Sequence, residues 1–133
     1  MRVAAARRRG ARRARGARKL AEPRRILARR KEGFIALALD QVAYFAVEDK
    51  QTEVVTREGR RFEVDQPLAE LEASLDPAEF FRVNRQYLVA AASVEGFRPY
   101  FKGKLLIDLS PAPASDVMVS QENASRFRAW LRG

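Results

Sequence analysis

From Ile26 to Val64 the apolar residues arrive in short runs, and each run is cut off by a polar turn too soon to build a helix. Ile26-Leu27-Ala28 gives way to Arg29-Arg30-Lys31-Glu32-Gly33, and Phe34-Ile35-Ala36-Leu37-Ala38-Leu39 to the tight Asp40-Gln41 turn. Val42 to Val47 is followed by Glu48-Asp49-Lys50-Gln51, Thr52 to Arg57 by Glu58-Gly59, and Arg60 to Val64 by Asp65. Short strands recurring at about 8–12 residues, joined by such turns, predict an antiparallel β-meander. Thr and Val at these positions suit a half-buried pleated surface. The run Phe34 to Leu39 is apolar on both faces, which predicts a central strand.

One helix interrupts the meander. Asp65 is placed to cap it and Pro67 suits its first turn, where the missing N–H is no loss. Leu68, Leu71 and Leu75 then share a helical face, predicted to pack on the sheet, and Asp76-Pro77 ends the element. After Val89, strands are expected at Val94 to Phe97, Leu105 to Leu109 and Val117 to Val119. Lys102-Gly103-Lys104 reads as a hairpin turn carrying two cations, and Ser110 to Ala114 as a loop. Ser120 resembles an N-cap, and Phe127, Trp130 and Leu131 form the apolar stripe of a last helix. The whole reads as mainly β, with about ten short strands and two short helices.

Between the two helices lies Phe80-Phe81-Arg82-Val83-Asn84-Arg85-Gln86-Tyr87-Leu88-Val89, a mixture that a purely structural strand does not need. Unbroken alternation would put Phe81, Val83, Arg85 and Tyr87 on one face. An arginine on that otherwise apolar line is too costly to bury unpaired, so the strand must break near Asn84. A short strand, a loop exposing Asn84, Arg85 and Gln86, and a second strand from Tyr87 satisfy the pattern. Phe80, Phe81, Tyr87, Phe97, Phe127 and Trp130 are expected in the core.

Composition removes several functions. The chain has 133 residues, no Cys and no His, so it lacks a disulfide framework, zinc and thiolate sites, and Cys–His or Ser–His pairs. No cofactor, metal or enzymatic activity is expected. No apolar run approaches the roughly 20 residues of a membrane span, and the chain reads as cytoplasmic. Its net charge of +9 is unevenly spread. Residues 1–32 hold 14 Lys/Arg against Glu22 and Glu32, while residues 33–133 hold 12 against 15 Asp/Glu, a balance of −3. Residues 1–23 are nearly all Arg, Ala and Gly, and nothing there can bury a face. They read as a disordered leader, or as surplus codons, or as a polycationic arm that attracts phosphates; the domain is expected over residues 24–133. No apolar stretch follows the charges, which excludes an export signal.

Three features then carry a resemblance. Asp40-Gln41-Val42-Ala43-Tyr44-Phe45 is an acidic turn into an aromatic strand. The leucine helix Leu68 to Leu75 leads directly to Phe80, Arg82, Arg85, Tyr87 and Val89 in the spacing Phe-x-Arg-x-x-Arg-x-Tyr-x-Val. Val119-Ser120 closes a strand before the last helix. In this order they resemble LytTR-type DNA-binding domains, the output domains of many bacterial transcription regulators, over about residues 24–132. The resemblance implies an elongated β-sandwich whose inter-strand loops, rather than a recognition helix, enter successive major grooves of tandem promoter repeats. Carried over by position, contacts fall at Lys50 to Glu53, including Thr52, at Asn84 to Gln86, and at Ser120-Gln121.

The side chains suit that role. Arg85 can bond a guanine edge bidentately, and Asn84, Gln86 and Gln121 can read adenine or guanine edges. Lys50, Lys102, Lys104 and Arg126 suit phosphates. Where the family usually has His-Arg-Ser before the Tyr, this chain has Asn84-Arg85-Gln86, and Gln121 stands where an Arg is frequent, so a different DNA sequence is expected. The partner implied is double-stranded DNA, and the protein is expected as a monomer in solution or side by side on the DNA. A separately encoded membrane protein, a frequent companion of the family, is a further expected partner. Each site residue also has a plainer reading: Arg85 in a surface ion pair with a residue such as Glu95, Asn84 as a turn stabiliser, Arg82 across a carboxylate. A protein-interaction module of the same fold that no longer reads DNA is the second functional reading.

Overall fold

The structure, a computed structural model, describes residues 24–133; the expected leader over residues 1–23 lies outside the described residues. Seven short strands form the larger sheet: β1 (Arg25–Arg30), β2 (Gly33–Ala38), β3 (Val42–Glu48), β4 (Gln51–Thr56), β5 (Arg61–Val64), β6 (Phe80–Arg82) and β7 (Tyr87–Ala90). Their spatial order is β2-β1-β5-β4-β3-β7-β6, with antiparallel pairing throughout. A three-stranded sheet holds β8 (Val94–Pro99), β9 (Leu105–Leu109) and β10 (Val117–Val119) in the order β10-β9-β8. The two helices are α1 (Leu68–Ser74) and α2 (Gln121–Arg132). Among the described residues no helix is long and apolar enough to cross a membrane.

Strand β3 divides the interior in two. The pairing of β3 with β4 slips between Val42 and Tyr44, so Val42 faces one side while Ala43 and Tyr44 both turn to the other. On the Tyr44 side, Phe81, Tyr87 and Val89 of the larger sheet meet Leu105, Ile107, Val117 and Val119 of the smaller sheet and Phe127 of α2. Phe127 packs edge-on against Phe81 at 5.8 Å and against Phe97 at 5.7 Å. On the Phe45 side, Val54, Leu88 and Phe80 meet Leu68, Leu71 and Leu75 from α1 and its C-terminal end, with Ile26, Ala28 and Leu37 from β1 and β2. Both faces of the central strands are therefore covered, and Val42 to Ala46 are all buried. The Tyr44 hydroxyl donates to the Pro111 carbonyl at 3.1 Å, and burial pushes its pKa above the usual phenol value.

Three sequence expectations give way here. The apolar run around Phe34 forms β2, which is an edge strand rather than a central one. Its solvent face is made tolerable by small Ala36 and Ala38 and by the Arg29 guanidinium lying 5.4 Å over the Phe34 ring. Asp65 does not cap α1: the N-cap is Pro67, with no side-chain cap bond, and Asp65 instead accepts Arg29 Nε at 2.6 Å and Nη2 at 3.2 Å. Nor does the balance of −3 over residues 33–133 describe the folded part. Strand β1 and the β1–β2 turn bring Arg24, Arg25, Arg29, Arg30 and Lys31 into the described part, which holds 17 Lys/Arg against 16 Asp/Glu.

Candidate nucleic-acid interface

The predicted break near Asn84 is present. Phe80–Arg82 and Tyr87–Ala90 form β6 and β7, and residues 83–86 are the loop between them. Asn84 is half-buried and its amide is engaged through both its oxygen and its nitrogen. Its Oδ1 accepts the backbone N–H of Gln86 at 2.8 Å and of Tyr87 at 3.0 Å, and its Nδ2 donates to the Met118 carbonyl at 2.9 Å. Arg82 holds the same loop from beneath. Its Nε donates to the Asn84 carbonyl at 2.9 Å, its Nη2 to the Arg85 carbonyl at 3.0 Å, and its Nη1 reaches Glu72 Oε1 at 3.3 Å. Five donated or accepted bonds to backbone thus shape four residues, using side chains that point into the loop rather than out of it.

What remains outward is Arg85 and Gln86, both exposed. The Arg85 guanidinium makes no ion pair or hydrogen bond among the described residues, so the pairing with Glu95 is not formed. An unpaired guanidinium on a braced loop retains all five of its donors for a partner.

Neighbouring segments meet this loop. The Val47 N–H donates to the Gln86 carbonyl at 2.9 Å, tying the loop to the end of β3. Glu48 pairs with Gln51, so Asp49 and Lys50 form a two-residue hairpin turn with φ of 48° and 67°. Positive φ at both central residues matches the right-handed strand twist and leaves Lys50 exposed. The Asn84–Met118 bond ties the loop to β10, and β10 runs directly into Ser120 and Gln121 at the start of α2. Gly103 completes the row: a Cβ placed there would come within 2.8 Å of Gln121 Cγ, so the β8–β9 turn lies directly against Gln121. In that turn Lys102 (φ 60°) and Gly103 (φ 77°) are both left-handed, and the Tyr100 N–H donates to the Lys104 carbonyl at 2.8 Å.

Lys50, Arg85, Gln86, Gln121, Lys102 and Lys104 are therefore exposed on segments that are bonded or packed in sequence to one another. Three expected residues are not available in the same way. Thr52 is buried at 7% exposure, opposite Val47 and Val64 in the sheet. Arg126 lies 5.5 Å over the Phe81 ring and donates to Asn123 Oδ1 at 2.9 Å, on the flank of α2. Asn84 is a brace. Two features went unassigned in the sequence: the clamp made by Arg82, and the exposure of Tyr100 and Phe101 beside Lys102. The pattern Arg-x-x-Arg could have suggested the first, since one arginine must support the turn that presents the other.

The family model described as the LytTr DNA-binding domain matches residues 32–132. A CO-responsive transcriptional regulator, RcoM, of Rhodospirillum rubrum is 36% identical over 90 residues, 68% of this chain and 37% of that regulator's own length. The chain thus spans little more than a third of the curated relative it matches. Among solved structures, a LytTr DNA-binding domain from a putative methyl-accepting/DNA response regulator of Bacillus cereus superposes with a TM-score of 0.72 at 26% identity, covering 82% of this chain and 97% of that one. Family match and fold agree: this chain belongs to the LytTr DNA-binding domain family.

Proposed function

We propose that residues 24–133 bind double-stranded DNA in a sequence-dependent way and serve a transcription regulator, reading tandem promoter repeats with loops rather than with a helix. The observation that carries this is Arg85: an exposed guanidinium, without a partner among the described residues, on a loop whose backbone Arg82 and Asn84 hold in place. Arg85 is assigned to a guanine edge, where a bidentate pair discriminates the base. Gln86 and Gln121 flank it as further base readers. Lys50, Lys102 and Lys104 take phosphates, which fix register without carrying sequence. Asn84 contributes by shaping the loop and Arg126 by its place beside Phe81. With few phosphate contacts from this face, neighbouring repeats occupied by separate copies would raise occupancy of a promoter. A separately encoded membrane protein belongs to the same proposal as the source of the signal.

Selection of bound sequences from random duplex DNA with the full chain tests the reading, and Arg85→Ala is the control. The expected result is a defined repeat, with the variant weaker by about 1–3 kcal/mol, or roughly 5- to 150-fold, and indifferent at one base position. A chain with no preferred duplex at any salt concentration, co-purifying with a stoichiometric protein, would instead be an interaction module of this fold.

A further inference from the structure

Aromatic rings near the surface of this domain are mostly covered by arginine. Guanidinium groups lie over Phe34, Phe62, Phe81 and Phe97 at 5.0–5.5 Å. Tyr100 and Phe101 are different: they are 42% and 67% exposed, and no guanidinium lies over either ring among the described residues. They stack edge-on to each other with centroids 4.8 Å apart, which presents two rings as one rigid apolar body. That body sits at the head of the β8–β9 turn, directly before Lys102 and Lys104, and the turn is packed on Gln121 through Gly103. An apolar pair this close to two exposed lysines is badly placed for a hydrophobic protein partner and well placed for a polyanion with apolar surface.

We propose that Tyr100 and Phe101 form an apolar wedge that contacts the duplex, a specificity element additional to Arg85, Gln86 and Gln121. The inference rests on the DNA-binding reading above and deepens it. Lys102 and Lys104 hold the phosphates on either side, while the rings meet apolar surface of the DNA. That surface is either the methyl group of thymine, which apolar side chains pack against in the major groove, or the face of a base exposed where a step is partly unstacked. Lys102 and Gly103 hold left-handed backbone immediately after the two rings, which marks this as a tight, defined turn.

The test uses the full chain and the duplex it selects, with Phe101→Ala, Phe101→Leu and Arg85→Ala compared over a range of salt. Phe101 is too exposed for its loss to unfold the domain, and the urea midpoint checks this. Phe101→Ala should weaken binding about tenfold at every salt concentration with an unchanged salt slope, and Phe101→Leu should retain most of the affinity. Replacing individual thymines by deoxyuridine separates the two sources. If a methyl is the contact, one such replacement weakens the wild type but not Phe101→Ala. If an unstacked step is the contact, deoxyuridine is silent, and end-to-end energy transfer shows the wild type bending the duplex more than the variant does. Phe101→Ala binding as tightly as wild type, while Arg85→Ala is impaired, would overturn the wedge and leave the DNA-binding reading intact. Failure to select any duplex would overturn both.

Discussion

Asn84 and Arg85 are neighbours in sequence, yet their replacement by Ala should have opposite signatures. Asn84→Ala removes three hydrogen bonds: two accepted from the Gln86 and Tyr87 N–H groups and one donated to the Met118 carbonyl. The Gln86 N–H is exposed and can turn to water, so its loss is cheap. The Tyr87 N–H and Met118 carbonyl are part-buried, and leaving each unpaired costs about 1–1.5 kcal/mol. A total near 2–3 kcal/mol is a large share of a domain's stability and should lower the urea midpoint by about 1–2 M. Arg85→Ala removes an exposed side chain with no partner among the described residues and should leave the midpoint where it was. In binding, Asn84→Ala should weaken all duplexes alike, because the loop that presents Arg85 loses its anchor to β10. Arg85→Ala should instead erase preference at a single base position. Chemical denaturation and duplex titration of the two variants decide the matter together. An Asn84→Ala protein with an unchanged midpoint and a lost preference at one base pair would show that its amide reads DNA, and the bracing account would be wrong.

Two other perturbations bear on the phosphate contacts. Lys50 holds φ at 67°, a region that disfavours side chains by about 1–2 kcal/mol, partly offset in Gly by its greater unfolded-state freedom. Lys50→Gly should therefore stabilise the domain by about 0.5 kcal/mol while weakening DNA binding severalfold; a less stable variant would contradict the turn geometry. Removing residues 1–23 deletes nine Lys/Arg. If Lys50, Lys102 and Lys104 supply the domain's phosphate contacts, the truncated protein should show a log–log salt slope near −3 and the full chain a steeper one, with the same preferred sequence. Equal slopes would mean that the arm does not touch DNA.

Much of this architecture was legible because its signals are local. Turns at fixed spacing gave the strands, three leucines at helical spacing gave α1, and an arginine on an apolar line forced the break at Asn84. The misreadings were matters of distant neighbours. Whether an apolar run becomes central or edge depends on what pairs with it, and Phe34 is covered by an arginine from the adjacent strand. Asp65 had a local role as a cap, but an arginine 36 residues away in sequence offered two charge-assisted bonds instead. Thr52 fell inside a contact loop by position, whereas the two-residue turn at Asp49-Lys50 is so tight that Thr52 is already within the sheet. Asn84 could read a base or brace a turn. The bond to the Met118 carbonyl, which arrives from another strand, supports the brace and was not visible from the local sequence.

The clamp on residues 83–86 has a consequence for how such a domain can acquire new targets. Arg82 and Asn84 grip main-chain atoms: carbonyls that every residue type supplies, and an N–H at position 86 that every residue but proline supplies, so the side chains at 85 and 86 take no part in the clamp. If Arg85 and Gln86 read DNA as proposed, vocabulary and grammar are carried by separate residues. A substitution at either position would then rewrite the word without disturbing the frame that presents it, so promoters and regulator could drift together in single steps, each leaving a folded protein behind.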